Sequence, residues 1–289
     1  MNYTREEAGI LVQALPYIQA YSGKIVVIKY GGNAMLDEDL KRGVARDVVL
    51  MHCVGMRPIL VHGGGPEISS LMKKMGKEPE FVNGLRVTDQ ETMEIVEMVL
   101  AGKTNKGIVS LINGAGAKAI GLSGKDANLI AAEKAEGEVD LGFVGRVTAI
   151  NPDILIDLLH HGYIPVISSV AIGPNGESLN VNADHIAGEI AAKVGAEKLI
   201  MMTDVPGIYG AIGDQSTFIS ELNVADADKM IRGGKISSGM IPKVEACVTA
   251  LRGGVPRTHI VDGTKPHSLL MEIFTDTGIG TMIVRESKD

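Results

Sequence analysis

The sequence predicts an α/β protein in which a mostly parallel sheet is covered by helices on both faces. Three observations lead there. Short runs that are apolar throughout, instead of alternating, recur along the chain, as buried parallel strands require. Helical periodicity over ten to twenty residues separates them. Glycines, 36 of the 289 residues, collect where the apolar runs end, which suggests backbone brought close to a ligand.

The elements follow in order. Residues 4–21 space Ile10, Leu11, Leu15 and Ile18 as a helix would, with a break or bend at Pro16. The first strand is KIVVIK, ending on Lys29. A helix over 38–54 places Leu40, Val44, Val48 and Met51 on one stripe. RPILVHGGGP is a second strand running into three glycines, with a helix after it around Glu67–Met75. Residues 89–111 form a long helical pattern, and KAIGLS is the third strand. Glycine-rich text from Glu138 to Val147 reads as a hairpin insertion. YIPVISSVAI and EKLIMMTDVPG are the fourth and fifth strands, RTHIVDG is the sixth, and GTMIV closes the pattern. Asn175-Gly176 signals a hairpin turn where a first half meets a second.

Composition excludes several functions. A net charge of -7 with no long basic run argues against nucleic acid, whose phosphates need a positive footprint. Aromatics are 3% with no Trp, so base-stacking platforms are not expected. Cys53 and Cys247 lack metal-type spacing and read as buried small hydrophobes in a reducing compartment. His160 and His161 are adjacent, without cysteine partners for zinc. No stretch approaches a membrane span or a secretory signal, so a soluble, cytoplasmic protein is expected.

In open α/β sheets ligands bind beyond the carboxyl ends of the strands. KYGG (29–32), HGGGP (62–66) and TDVPG (203–207) all fall there, each with glycines that expose N–H groups and a helix N-terminus to follow. The P-loop pattern fails, because EMVLAGKT has Glu97 at the first glycine and lies within a helix. The dinucleotide pattern fails at GAGAKA, and no G-x-S-x-G elbow is present. A phosphate site of another design remains. Lys29 ends a strand beside glycines, and Lys243 falls in a first helical turn, where a cation is easier to understand if an anion also binds. Asp184 begins a helix and reads equally as a cap; Asn180 and Asn182 read as turn formers. Arg86 after Asn83-Gly84 is either a carboxylate fork or an exposed side chain. His62 reads as a packing or hydrogen-bonding histidine before a catalytic base. Lysines, an arginine, an aspartate and anion-binding glycine turns together suit phosphoryl transfer.

These same stretches, with NGLRVTD (83–89), MEIVEMVLAGKTNK (93–106), NVNAD (180–184), GGKISSGMIPKVEA (233–246), HIVDG and GIGTMI, resemble the amino acid kinase family in fixed order over about residues 5–285. GLRVTD and NVNAD narrow the resemblance to members acting on N-acetyl-L-glutamate. The resemblance implies a three-layer αβα sandwich of carbamate kinase-like fold. It implies an oligomerisation helix at 1–24, an acetylglutamate-binding and dimerisation lobe at 25–175, and an ATP-binding lobe at 176–289. The implied reaction is transfer of the ATP γ-phosphoryl group to the γ-carboxylate, giving N-acetyl-L-glutamyl 5-phosphate and ADP, the second step of arginine biosynthesis.

Residue by residue, the resemblance implies that Lys29 and Lys243 flank the moving phosphoryl group and that Asp184 orients both. Gly31, Gly32 and Gly64 supply phosphate-binding backbone. Gly64, Gly65, Arg86 and Asn180 bind the substrate, and Thr203, Asp204, Gly207 and Lys243 line the nucleotide. No protein metal site is implied, Mg²⁺ being held mainly by the ATP phosphates. Pro206 stands where many relatives carry an acidic residue. The N-terminal extension resembles arginine-inhibited homohexamers, trimers of dimers, with L-arginine contacted around His267, Glu272, Gly278 and Gly280. A PII signalling protein is a further partner the resemblance raises. Members acting on glutamate, aspartate or carbamate, and a non-catalytic ATP or amino-acid sensor on the same fold, are the alternatives.

Overall fold

The computed structural model describes residues 9, 12–211, 213–276 and 278–286, Asn33 by its backbone alone. In chain order the strands are β1 (Ile25–Tyr30), β2 (Arg57–His62), β3 (Phe81–Val82), β4 (Leu85–Arg86), β5 (Ala119–Leu122), β6 (Ile130–Lys134), β7 (Val144–Ile150) and β8 (Ile164–Ser168). They continue as β9 (Val170–Ile172), β10 (Ser178–Val181), β11 (Lys198–Thr203), β12 (Ile208–Tyr209), β13 (Phe218–Ile219), β14 (Glu221–Asn223), β15 (Arg257–Asp262) and β16 (Thr281–Val284). The helices are α1 (Leu15–Tyr21), α2 (Glu38–Cys53), α3 (Gly65–Lys74), α4 (Gln90–Glu97), α5 (Asn105–Gly114), α6 (Asp153–His160), α7 (Ala183–Lys193), α8 (Val224–Arg232), α9 (Ile241–Arg252) and α10 (Ser268–Ile273).

Eight strands form one sheet in the order β14-β16-β15-β11-β1-β2-β8-β5. Every pairing in it is parallel except β15 with β16. The apolar runs explain the layering. Along β1, β2 and β11, Val27, Ile59, Val61, Leu199 and Met201 pack on α6, α7 and α9. The alternate residues Val26, Ile28, Leu60, Ile200 and Met202 pack on α2, α5 and α10. Both faces are therefore buried, which is why these strands carry no polar stripe. A smaller closed sheet, β10-β7-β6-β9, sits beside the large one.

The structure refines several expectations. YIPVISSVAI divides at Ser169 into β8 in the large sheet and β9 in the small one. The hairpin near 138–147 is β6 with β7, so its outgoing strand runs later than the glycine-rich text, to Ile150. β6 itself gave no sequence signal strong enough to name. The long pattern from 89 is α4 and α5 joined through a π-helical segment, Met98–Thr104, which contains the Gly102-Lys103-Thr104 run. Asn175-Gly176 does turn β9 into antiparallel β10, with Gly176 at φ +84. The helical pattern breaks beside Pro16 as expected: residues 12 and 13 are helical, Ala14 is a turn, and α1 starts afresh with Pro16 in its first turn, where its missing N–H costs nothing. Ile10 and Leu11 lie outside the described residues. Cys53 is exposed at the end of α2, against the expectation that both cysteines are buried. Cys247 is buried on the inner side of α9, and burial pushes its thiol up to about 12.

Helices α7 and α9 cross at Gly188, where a Cβ would stand 2.6 Å from the Ala246 carbonyl oxygen and 3.0 Å from its Cα. Backbone atoms cannot swing aside, so Gly188→Ala must part the helices and should cost about 1–3 kcal/mol, read as a fall in Tm. Gly43, in α2, has open space at its Cβ position. Gly43→Ala should raise stability by about 0.5–1 kcal/mol in the same measurement.

Candidate active site

Parallel strands bring their carboxyl ends to one edge, and the candidate residues gather there. One residue before the end of β1, Lys29 is level with Val61 of β2 and Met201 of β11. Asp184 is the second residue of α7, and Lys243 is the third of α9. Asn182, not Asp184, is the N-cap: its side chain accepts the Asp184 N–H at 2.7 Å. The Asp184 carboxylate is thereby released for another task. Lys29 Nζ lies 2.9 Å from Asp184 Oδ1, and Lys243 Nζ donates to Oδ2 at 3.0 Å. Lys29 and Asp184 are 8% and 5% exposed. Burial alone would push the Asp184 carboxyl up, but the two ammonium groups hold it below the usual carboxylate range.

The glycine turns close around this trio. A Cβ on Gly31 would stand 2.6 Å from Lys29 Nζ. Gly32 has φ +73, and its Cβ would fall on the Asp204 carboxylate, so only glycine serves there. Gly64 is the N-cap of α3, and its Cβ would be 2.6 Å from Leu100 of the π-helical segment. Lys29, Gly32, Gly64, Arg86, Asn180 and Asp184 all line one cleft of about 260 Å³.

Arg86 closes the β3–β4 hairpin and is buried, which settles the choice between a fork and an exposed side chain against exposure. Its guanidinium donates to the Gly65 carbonyl at 3.0 Å and to Ser69 Oγ at 2.8 Å, and it stacks 4.7 Å over the Phe81 ring. These partners are neutral, and burial pulls its pKa down. No carboxylate among the described residues pairs with it, so the cleft holds a buried cation suited to an anionic ligand. Asn180 donates to Thr88 Oγ1 at 3.2 Å, and Thr88 donates to the Arg86 carbonyl at 2.8 Å, which ties the two substrate candidates together.

A second cavity, of about 430 Å³, is lined by Asp204, Gly207, Tyr209, Gln215, Lys235 and Ser237. The Gly32–Asp204 contact joins it to the first cleft. Thr203 stands apart from the cavity: it is buried at the end of β11, and its carbonyl accepts the Gly263 N–H at 2.8 Å. Gly207 is packed against Thr281 and Phe218. Lys235 and Ser237 lie in the GGKISSGM stretch, yet sequence reasoning gave them no role; neither a strand end nor a charge pattern marks them.

Of the four residues grouped for arginine, three come together. Glu272 accepts the N–H groups of Ile279 at 2.8 Å and Gly280 at 3.1 Å, and Gly278 packs on its carboxylate. His267 is not among them. It turns to Asp47, with Nδ1 2.6 Å from Oδ1, while buried His259 faces Glu272 at 2.5 Å. Burial would raise the Glu272 carboxyl, but His259 and the two N–H groups hold it down.

The profile of the amino acid kinase family matches residues 24–262. The chain belongs to the amino acid kinase family. Acetylglutamate kinases of Pelotomaculum thermopropionicum and Caldanaerobacter subterraneus subsp. tengcongensis are each 56% identical to it; the matches cover 98% of this chain and 99% and 95% of theirs. Among solved structures, N-acetylglutamate synthase from Neisseria gonorrhoeae, complexed with coenzyme A and N-acetyl-glutamate, superposes with a TM-score of 0.85 at 25% identity. That match covers 97% of this chain, which spans 64% of the synthase's length. Giardia carbamate kinase shares the amino acid kinase fold at a TM-score of 0.67 and 16% identity, over 92% of this chain and all of its own.

Removing the charge of Asp184 leaves two cations without their shared partner. Asp184→Asn should therefore lose about 3 kcal/mol at pH 7, measured by urea unfolding. The native carboxyl titrates below its unfolded value, so its stabilisation is present above the unfolded pKa and disappears as pH falls through the native one. The gap between wild type and variant should accordingly narrow below about pH 4.

Proposed function

We propose that this family member is an acetylglutamate kinase working by direct in-line transfer, with the trio of Lys29, Asp184 and Lys243 at its centre. It transfers the γ-phosphoryl group of ATP to the γ-carboxylate of N-acetyl-L-glutamate, giving N-acetyl-L-glutamyl 5-phosphate and ADP within arginine biosynthesis. The observation that carries the mechanism is the single buried carboxylate holding two ammonium groups beside two glycine turns.

The nucleophile is a carboxylate, already ionised near neutral pH, so no base has to deprotonate it. What the reaction needs is alignment and positive charge around the moving group. Lys29 and Lys243 flank it, and Asp184 holds both ammonium groups in place. The N–H groups of Gly32 and Gly64, with Gly31 and Gly65 beside them, receive phosphoryl and carboxylate oxygens. Arg86 and Asn180 take the α-carboxylate end. ATP enters as its Mg²⁺ complex and occupies the second cavity, between Asp204–Gly207 and Lys235–Ser237. The lobes divide at 175/176, with 25–175 binding acetylglutamate and forming the dimer, and 176–289 binding ATP.

ADP release with Mg-ATP should occur with N-acetyl-L-glutamate and not with L-glutamate, L-aspartate or carbamate. Lys29→Ala and Lys243→Ala should each lower kcat by about 10²-fold or more. Arg86→Lys loses the planar fork and should raise KM for acetylglutamate about tenfold while leaving KM for ATP alone. Wild-type turnover by either lysine variant sinks the mechanism.

L-Arginine inhibits the enzyme in this reading, and the chain assembles as a hexamer through its N-terminal segment, residues 1–24. Tyr17 of α1 donates to Asp276, which lies between Glu272 and Gly278, so the N-terminal helix is tied to the cluster assigned to arginine. His259 replaces His267 in that assignment, because it is the histidine that meets Glu272. A PII protein is a further proposed partner. Sizing should give a hexamer, and Glu272→Gln should weaken arginine inhibition at unchanged kcat. Dimer mass with no arginine effect would remove the regulatory part and leave the kinase.

A further inference from the structure

Two polar side chains lie fully buried under the glycine turn, His62 at the end of β2 and Asn105 at the start of α5. Their hydrogen bonds leave one consistent proton arrangement. Asn105 Nδ2 donates to the Val166 carbonyl at 2.9 Å, and its Oδ1 accepts from Lys106 Nζ at 3.2 Å. A carbonyl can only accept, so the amide nitrogen is the atom on that side. The same Nδ2 lies 3.1 Å from His62 Nε2 and 3.4 Å from the Leu122 carbonyl oxygen; an amide nitrogen accepts no hydrogen bond, so Nε2 faces it as an acceptor. The imidazole proton is on Nδ1, 2.8 Å from the Gly63 carbonyl oxygen, to which it donates. Burial, assisted by nearby Lys106, pulls this histidine down to about 4, so it is neutral at neutral pH.

The consequence falls on the next residue. The Gly63 C=O and the Gly64 N–H belong to one planar trans peptide and point in opposite directions. Fixing the oxygen on His62 therefore fixes the direction of the Gly64 N–H. That N–H makes no backbone hydrogen bond among the described residues, and Gly64 lines the cleft. A peptide between two glycines is sterically cheap to flip. A flip would present a carbonyl oxygen to an anion where an N–H is needed.

We propose that His62, fixed by Asn105 in its Nδ1-protonated form, is a positioning residue for phosphoryl transfer, holding the Gly63–Gly64 peptide with the Gly64 N–H toward the reacting oxygens. The proposal rests on Gly64 being part of the phosphate-binding backbone. His62 touches no reacting atom and acts through Gly64. Asn105 adds a second link: it directly follows the π-helical segment whose Leu100 packs at Gly64, so one stretch of helix supports both the histidine and the glycine.

Two substitutions separate the two ring nitrogens. In His62→Gln the amide reaches Asn105 as Nε2 does but places no donor at Gly63. In His62→Asn the amide nitrogen occupies the Nδ1 position and keeps the Gly63 bond, while Asn105 loses its partner. His62→Gln should lower kcat about tenfold to a hundredfold, with KM for both substrates within about twofold, and His62→Asn should recover kcat to within about threefold despite a lower Tm. Wild-type kcat in the Gln variant, or equal loss in both variants, overturns the proposal. Replacing Gly64 by glycolic acid deletes its N–H and keeps the His62 side chain, while making the Gly63 carbonyl a weaker acceptor, and it serves whether or not the His62 variants fold. A large fall in kcat with the fold intact supports the Gly64 reading. An unchanged kcat overturns that reading and the proposal with it. A fall there beside a fully active His62→Gln overturns only the role of His62.

Discussion

One carboxylate shared by two ammonium groups is the constraint on which this site depends. Lys29, Asp184 and Lys243 come from β1, α7 and α9, three elements far apart in sequence. A lone ammonium at the depth of Lys29 would give up its water with nothing to replace it. Asp184 makes both cations tolerable at once. The trio is left with one positive charge in excess, and that excess sits beside the N–H groups of the glycine turns. A buried surplus of positive charge is costly in an empty site and favourable beside an anion, which makes the trio an anion-binding device as much as a structural tie.

The fold delivers those three elements with little slack. β1 lies between β2 and β11, so Lys29 emerges at the middle of the sheet edge, flanked by the turns after both neighbours. α7 and α9 approach at Gly188 and Ala246 because small residues permit it. Their N-termini, with Asp184 in one and Lys243 in the other, come together as a result. Packing and chemistry are joined here: a methyl group inserted one turn along α7 acts on the distance between Asp184 and Lys243.

Most of the sheet could be read from the apolar runs, because a strand buried on both faces leaves no polar alternation to confuse the pattern. β6 escaped because it is half-exposed and ends in Glu133-Lys134, which also suits a helix. Asp184 was ambiguous for a local reason. Asn182 and Asp184 are both good capping residues two positions apart, and only the three-dimensional partner, two lysines against one N–H, assigns them. Arg86 is ambiguous in sequence because residues beside an Asn-Gly turn are usually wet; here the tip Asn83-Gly84 is exposed, but the Arg86 side chain two residues on reaches α3. His259 has no role in the sequence reading, because its meeting with Glu272 depends on β15 running alongside α10. His62 reads in sequence as a packing or hydrogen-bonding histidine, and buried at the end of β2 it is both; the peptide it holds is visible only from the direction of its ring.

The chemistry assigned to this site brings two anions together, a carboxylate and the terminal phosphate of ATP. Repulsion between them is the first obstacle, and activation of the nucleophile is not one. The polar groups of the cleft match that order of needs. Arg86 offers a buried cation with only neutral partners at the substrate end, and Lys29 and Lys243 offer an excess of positive charge at the other. The glycines between them contribute donors without a side chain to keep the reactants apart. Orientation then decides the rate, because a fixed N–H helps the transition state only if it already points there. A neutral histidine with one forced tautomer, out of contact with solvent, is suited to hold such a peptide still through every turnover.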